Sequence, residues 1–186
     1  MKKLISVLIF CAAVLYSNSF AQNTDYKKEA GYIEFGDLSS LETGDNVTEV
    51  LLDEKLLKLA AGVSKKDNQE LKNLLGGLKL VKVNSFGVSS KNESRIISKM
   101  NSLDADLTGK NWDRIVKTRE NGATTNVYIK TNGGNNVVGL VVTTLSTKGE
   151  ASFINIVGKI DLETISNLSD NFSIPSLDSV GHKKRH

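Results

Sequence analysis

Apolar residues follow two different periods along the chain, and the change between them predicts a mixed fold. Before Trp112, apolar residues recur every three or four positions in three segments, which predicts amphipathic helices between short strands. From Trp112 to Ile160, apolar runs are separated by turns rich in Asn and Gly, which predicts an antiparallel meander. Beyond Ile160 the helical period returns once before the pattern fades.

Each predicted helix follows a residue that can cap its first turn. Asp53 and Asp67 precede two short helices, and Asp161 precedes a final one. The residues from Ser90 to Glu93 have the spacing of a capping box, which places the start of a longer helix there. The apolar stripe of this long helix consists of Ile96, Ile97, Met100, Leu103 and Leu107.

The predicted strands combine with these helices into one α+β domain. They cover residues 31–36, 48–52, 78–86, 112–119, 125–131, 136–145 and 151–160. The last two are apolar on both faces, so we expect them at the centre of the sheet. The fold class is therefore α+β: an antiparallel sheet of four to six strands with helices packed mainly on one face. The two short helices have two possible positions, at one end of the sheet or on its second face.

The N-terminus has the pattern of a secretory signal peptide. Lys2 and Lys3 precede an apolar run from Leu4 to Tyr16, and a cut after Ala21 would follow small residues. The run is short for a membrane anchor, which is the alternative, and bulky Phe10 before Cys11 argues against a lipoprotein. We therefore divide the chain into a signal peptide (1–21), a flexible segment (22–30), a single domain (31–168) and a flexible basic tail (169–186). Periplasm or cell envelope is the expected location, with secretion also possible.

Charge and cysteine content exclude several classes of protein. Removing residues 1–21 takes Lys2 and Lys3 from 24 basic residues and none of 21 acidic ones, so the net charge falls from +3 to +1. Such a balance argues against a nucleic-acid partner. The same cut removes Cys11, the only cysteine, which excludes thiol catalysis and a disulfide scaffold. No other segment is long and apolar enough for a transmembrane helix.

Sequence motifs for catalysis, cofactors or metals are missing. Histidine occurs only at positions 182 and 186, in the predicted tail, and no nucleotide-binding or zinc motif is present. The acidic residues from Glu34 to Glu49 could offer oxygens to calcium, but their spacing differs from an EF-hand and favours a solvated loop. We therefore predict no cofactor, no metal and no assembled catalytic site.

Four residues remain as a possible interaction surface. Glu34 and Asp37 are carboxylates close to two aromatic residues, and they are the best available candidates for acid–base chemistry. Trp112 could stack on a ligand, although a tryptophan that covers the edge of a sheet is more common. Arg114 lies two residues further on, in a mildly basic strand.

Several segments in a fixed order resemble one known family. They are Tyr32 to Asp37, Leu71 to Leu78, Trp112 to Lys117, and Phe153 to Asp161. Together they resemble the domain of unknown function 4252 family over about residues 31–168. The resemblance implies an exported protein of the kind found mainly in Bacteroidetes, without an assigned activity or catalytic residues. Some relatives are lipoproteins, from which this chain differs because it has no lipobox.

Three functions are consistent with the sequence. The favoured one is a non-catalytic envelope or periplasmic module that binds an envelope protein or a small ligand through a sheet face or the acidic loop. A carboxylate-dependent hydrolase of envelope glycans, using Glu34 and Asp37, is the second. A carrier for an apolar ligand is the third, and it requires a pocket of roughly 300 Å³ or more lined by Val and Ile.

Overall fold

The computed structural model describes residues 25–42, 46–63, 69–134 and 136–160. The predicted signal peptide, the predicted helix after Asp161 and the predicted basic tail lie outside the described residues.

Six strands and three α-helices form in this part of the chain. The strands are β1 (Val47–Asp53), β2 (Leu78–Gly87), β3 (Asp113–Glu120), β4 (Ala123–Thr131), β5 (Val137–Ser146) and β6 (Glu150–Ile160). The helices are α1 (Glu54–Val63), α2 (Gln69–Gly77) and α3 (Glu93–Gly109). Two short 3₁₀ turns, Asp25–Lys28 and Ser39–Leu41, precede them.

All six strands form one antiparallel sheet in the order β1-β2-β6-β5-β4-β3. The α+β prediction with an antiparallel sheet is therefore confirmed, and so is the central position of β5 and β6. Their alternate side chains enter two different cores, which explains why both strands are apolar on both faces. Strands β1 and β2 are joined to the other strands only by the pairing of β2 with β6.

Helices cover both faces of the sheet. The long helix α3 shares the first face with residues 31–41, which we call the N-terminal segment, and both pack on Phe86, Tyr128 and Phe153. The short helices pack on the second face through Leu57, Leu74 and Leu75. The second face was one of the two positions that the sequence left open for them.

The N-terminal segment does not join the sheet as the strand predicted at residues 31–36. It crosses the first face instead, and its backbone forms hydrogen bonds with the side chain of Asn155 rather than with a neighbouring strand. The Asn155 Oδ1 atom accepts the Ile33 N–H at 3.0 Å, and its Nδ2 atom donates to the Gly31 carbonyl oxygen at 3.0 Å. Gly31 and Gly139 pack backbone to backbone, so close that a Cβ atom on Gly139 would lie 2.5 Å from the Gly31 Cα atom. An alternating pattern predicts extended backbone, but not whether that backbone pairs with another strand.

A second buried asparagine fixes the other end of the N-terminal segment. Asn92 donates from Nδ2 to the carbonyl oxygens of Leu41 at 2.8 Å and Gly87 at 2.9 Å. Its Oδ1 accepts the Ser89 N–H at 2.8 Å, so it does not cap the first turn of α3. The predicted capping box is therefore wrong, because Asn92 is the cap residue and its side chain is used for tertiary contacts.

Tyr26, which belongs to the segment that the sequence analysis assigned as flexible (22–30), packs against the sheet. Tyr26 is buried in a small cluster with Leu80 and Val157, and its ring lies 5.6 Å from that of Tyr32. One aromatic residue in a polar stretch is a weak sequence signal, because its burial depends on the distant strands β2 and β6. Contacts with the sheet therefore begin before residue 31.

Candidate functional site

The structure separates the four residues that the sequence singled out. Trp112 is only 5% exposed, and its ring contacts the backbone of the Gly31–Gly139 crossing rather than solvent. It is therefore a core residue and not a ligand-stacking platform. Asp37 is exposed, and its Oδ1 accepts the Ser39 N–H at 2.9 Å at the start of a 3₁₀ turn. A hydrogen bond with the Ser39 side chain, and next the one with the Ser39 N–H, lower the pKa of Asp37 below its ordinary value.

Arg114 belongs to a three-residue cluster at the end of α3. Its Nη1 atom lies 2.7 and 2.8 Å from the two carboxylate oxygens of Asp104, which also accepts the Tyr128 hydroxyl at 2.8 Å. Burial, with the Asp104 hydrogen bond, raises the pKa of Tyr128 to about 12. The Asp104 carboxylate raises the pKa of Arg114 further. The three side chains form hydrogen bonds with one another. This arrangement is typical of a structural contact between α3 and the sheet rather than of a reactive site.

Glu34 lies in a different place, beside the edge of the sheet. Its carboxylate accepts the Tyr32 hydroxyl and lies 3.2 Å from the Lys82 Nζ atom. The Tyr32 hydrogen bond lowers the pKa of Glu34, and Lys82 adds to this effect against a smaller opposing contribution from burial. Burial and the Glu34 carboxylate raise the pKa of Tyr32. Glu34 is therefore an anion and Tyr32 a neutral donor near pH 7.

A groove separates this cluster from strand β1. We call it the edge groove, and its volume is about 370 Å³. One wall comes from the N-terminal part of the chain, the other from β1, and Lys82 and Asn84 of β2 lie between them. The lining residues are Tyr26, Lys27, Tyr32, Glu34, Glu49, Val50, Leu51, Lys82 and Asn84.

Asn84 carries the one unsatisfied polar atom found among the buried side chains of the described residues. Its side chain is 4% exposed, and its Oδ1 atom has no hydrogen-bond donor. The amide orientation is fixed, because Nδ2 donates to the Glu49 carboxylate at 2.7 Å and the reverse orientation would place two acceptors together. A buried acceptor without a donor costs about 1–3 kcal/mol of stability. A ligand that donates a hydrogen bond would remove this cost.

Glu49 completes the polar part of the groove. It is exposed on β1, directly opposite Asn84 in the strand register, and the Asn84 amide is its contact there. No basic side chain within the described residues forms an ion pair with Glu49. Its carboxylate is therefore available to a cationic group on a ligand.

Sequence reasoning found one residue of this groove, Glu34, and missed Asn84, Glu49 and Lys82. Glu49 was considered only as part of an acidic loop. The missing information is the pairing of β1 with β2, which brings Glu49 opposite Asn84. Asn84 alone gave only a weak signal, because β2 also contains the polar residues Lys79, Lys82 and Ser85.

A second groove lies on the same face between α3 and the strands β3 to β5. Its volume is about 350 Å³, with Met100 and Leu145 at its base and Lys117 and Arg119 on β3. Both grooves are lined mainly by polar side chains, and neither matches the Val- and Ile-lined pocket that an apolar-ligand carrier requires.

The part of the chain that the structure describes contains no candidate metal site. No group of three or more His, Cys, Asp or Glu side chains there is arranged to hold a metal ion. Likewise, none of the described helices is both long enough and apolar enough to cross a membrane.

Comparison with known proteins identifies a family. The model of the domain of unknown function DUF4252 matches residues 41–168. The chain belongs to the DUF4252 family. The match contains all six strands and the three helices, and it starts ten residues after the resemblance noted in the sequence. The DUF4252 region therefore supplies the β1 and β2 side of the edge groove, whereas Tyr26, Tyr32 and Glu34 precede it. No curated protein and no solved structure matches the chain.

Proposed function

We propose that this DUF4252 protein is an exported, non-catalytic module of the bacterial envelope that binds its ligand in the edge groove. The observation that carries the proposal is the buried Asn84 Oδ1 atom without a donor, next to the exposed Glu49 carboxylate. Stable folds keep few such atoms, and an unsatisfied one in a groove is expected where a ligand supplies the missing partner.

The protonation states of the two candidate carboxylates support a binding role rather than hydrolysis. A glycoside hydrolase needs one carboxylic acid that keeps its proton near the working pH. Hydrogen bonds lower the pKa of both Glu34 and Asp37, so both are ionised. Asp37 also uses an oxygen to fix the backbone of its own turn. This pair therefore lacks a general acid.

Replacing Asn84 by leucine is expected to separate stability from binding. Leucine removes the unsatisfied oxygen at similar volume, so the free energy of unfolding should stay constant or rise by up to about 1 kcal/mol. Ligand capture should be lost. Unfolding in urea measures the first effect, and mass spectrometry of material retained from a bacterial envelope extract measures the second.

Asn126→Leu is the matched control for this experiment. Asn126 is also a buried asparagine on the first face, but its Nδ2 donates to the Thr143 hydroxyl at 3.2 Å. Its replacement should lower stability and leave capture intact. Equal capture by wild type and Asn84→Leu would refute the edge groove as the binding site.

Export is tested separately, at the N-terminus of the protein recovered from cells. We expect the mature chain to begin at Gln22, because the cut after Ala21 follows small residues at the positions that signal peptidase requires. N-terminal sequencing of envelope and cytosolic fractions measures this. A chain that keeps Met1 to Ala21 in the cytosolic fraction would contradict export.

A further inference from the structure

The two edges of the sheet differ in the features that normally prevent another strand from pairing. Strand β3 forms one edge, and five of its eight residues are charged. Its pairing with β4 is interrupted by a bulge between Arg114 and Val116. Charged side chains and bulges are the devices by which natural sheets block edge-to-edge association. This edge is therefore protected.

Strand β1 forms the opposite edge and carries fewer of these devices, because only two of its seven residues are charged and its pairing contains no bulge. Its seven residues pair with β2 without a register shift, and its sequence contains no Pro, Lys or Arg. Its outer edge pairs with no strand in the described part of the chain. Val47 and Leu51 are 37% and 36% exposed, which is unusual for aliphatic side chains of a strand in a small sheet. This edge is therefore open to strand addition.

The side chains of β1 on the first face specify what an added strand should carry. Val47, Glu49 and Leu51 alternate in the order apolar, acidic, apolar. Side chains directly opposite one another in an antiparallel pair lie about 4.5–5.5 Å apart, so their complement is apolar, basic, apolar. A basic group opposite Glu49 would also bring N–H donors towards Asn84, whose oxygen lacks one.

The shape of the surface favours an extended occupant. Residues 49–51 line the edge groove, and residues 46–48 line a neighbouring groove of about 450 Å³ that also contains Ser85 and Phe86. Both grooves contain residues of β2, so they border β1 on its inner side, while its outer edge pairs with no strand in the described residues. An extended segment of seven residues spans about 24 Å, the length of β1 itself.

We propose that an extended peptide segment of another protein adds to the outer edge of β1 as a seventh strand and places Lys or Arg opposite Glu49, a residue that also lines the edge groove. This inference rests on the proposed function, because both use the carboxylate of Glu49 at the border of the edge groove. Main-chain hydrogen bonds to β1 would supply affinity, and the basic residue would supply specificity.

Fluorescence anisotropy with three labelled heptapeptides tests the proposal on the full chain. The first has the sequence Thr-Val-Thr-Lys-Thr-Val-Thr, the second has Glu at its centre, and the third is the Lys peptide with N-methylated backbone amides. We expect the Glu peptide to bind at least about fivefold more weakly, because like charges would lie opposite each other. The methylated peptide should show no binding, because it cannot form the ladder.

Two protein variants of equal charge change make the test specific. Glu49→Lys should reverse the preference and favour the Glu peptide. Glu120→Lys, at the protected edge formed by β3, should leave both affinities unchanged. Failure of the Lys peptide to bind, binding of the methylated peptide, or equal effects of the two variants would each overturn the proposal.

Two further outcomes distinguish this inference from the proposed function. If the three peptides fail but Asn84→Leu still abolishes ligand capture, the edge groove binds something other than a strand. Sedimentation of the wild-type chain should show a monomer. A dimer that Glu49→Lys dissociates would assign the edge to a second copy and would also overturn the proposal.

Discussion

Replacement of Phe153 by alanine is expected to lower the free energy of unfolding by about 3–5 kcal/mol. Phe153 lies on the central strand β6 with no solvent exposure. Its ring is 5.9 Å from the rings of both Phe35 and Phe86. Truncation therefore leaves a cavity where the N-terminal segment, β2 and β6 meet. Since domains of this kind are stable by only about 5–15 kcal/mol, the loss should be large enough to measure readily in urea.

Two controls define what the Phe153 result means. Phe153→Leu should cost clearly less than alanine, because much of the volume is kept. Ile97→Ala removes an aliphatic side chain that is 39% exposed on α3, and it should change stability only slightly. A cost below about 1 kcal/mol for Phe153→Ala would show that the aromatic cluster is not part of the stabilising core.

The second large effect is expected for Asn155→Leu. This substitution leaves the Ile33 N–H and the carbonyl oxygens of Gly31 and Leu140 without their partner in a buried environment. Each such loss costs about 1–3 kcal/mol, so we expect a total of at least about 3 kcal/mol. The N-terminal segment should detach, and the edge groove should lose the wall that carries Tyr32 and Glu34.

Hydrogen exchange measures this detachment residue by residue. The Ile33 amide should exchange orders of magnitude faster in Asn155→Leu, while amides in β4 and β5 change much less. Asn101→Leu, on the exposed surface of α3, is the control and should leave Ile33 protected. An Ile33 amide that stays protected in Asn155→Leu would mean that packing alone holds the segment.

The parts of the fold that were predictable depend on local patterns. Strands β5 and β6 are apolar on both faces, and this pattern predicted their central position in the sheet. Asp53 correctly marked the start of α1, where its Oδ1 accepts the Leu56 N–H. The unpaired N-terminal segment was not predictable from alternation, because that pattern describes extended backbone and not its partner. Asn155 gave a usable signal, since a polar residue within Phe153 to Val157 must find buried partners.

The candidate site was less predictable than the fold, for a physical reason. Glu34 was identified because it lies close to aromatic residues in the sequence. Asn84 and Glu49 are 35 residues apart, and only the antiparallel register of β1 and β2 brings them together. The contacts of Trp112 and Arg114 were not predictable, because their partners, Gly139 and Asp104, come from other elements.

The position of β6 has a consequence for the order in which the protein can mature. This strand is the last of the six to leave the ribosome, yet it alone joins the paired strands β1 and β2 to the β5-β4-β3 meander. Asn155 meets its N-terminal partner Ile33 across 122 residues. The two parts of the sheet therefore cannot join before β6 has been synthesised, and contacts of such long range form slowly. If the chain is exported as proposed, that delay would keep it incompletely folded while it crosses the membrane.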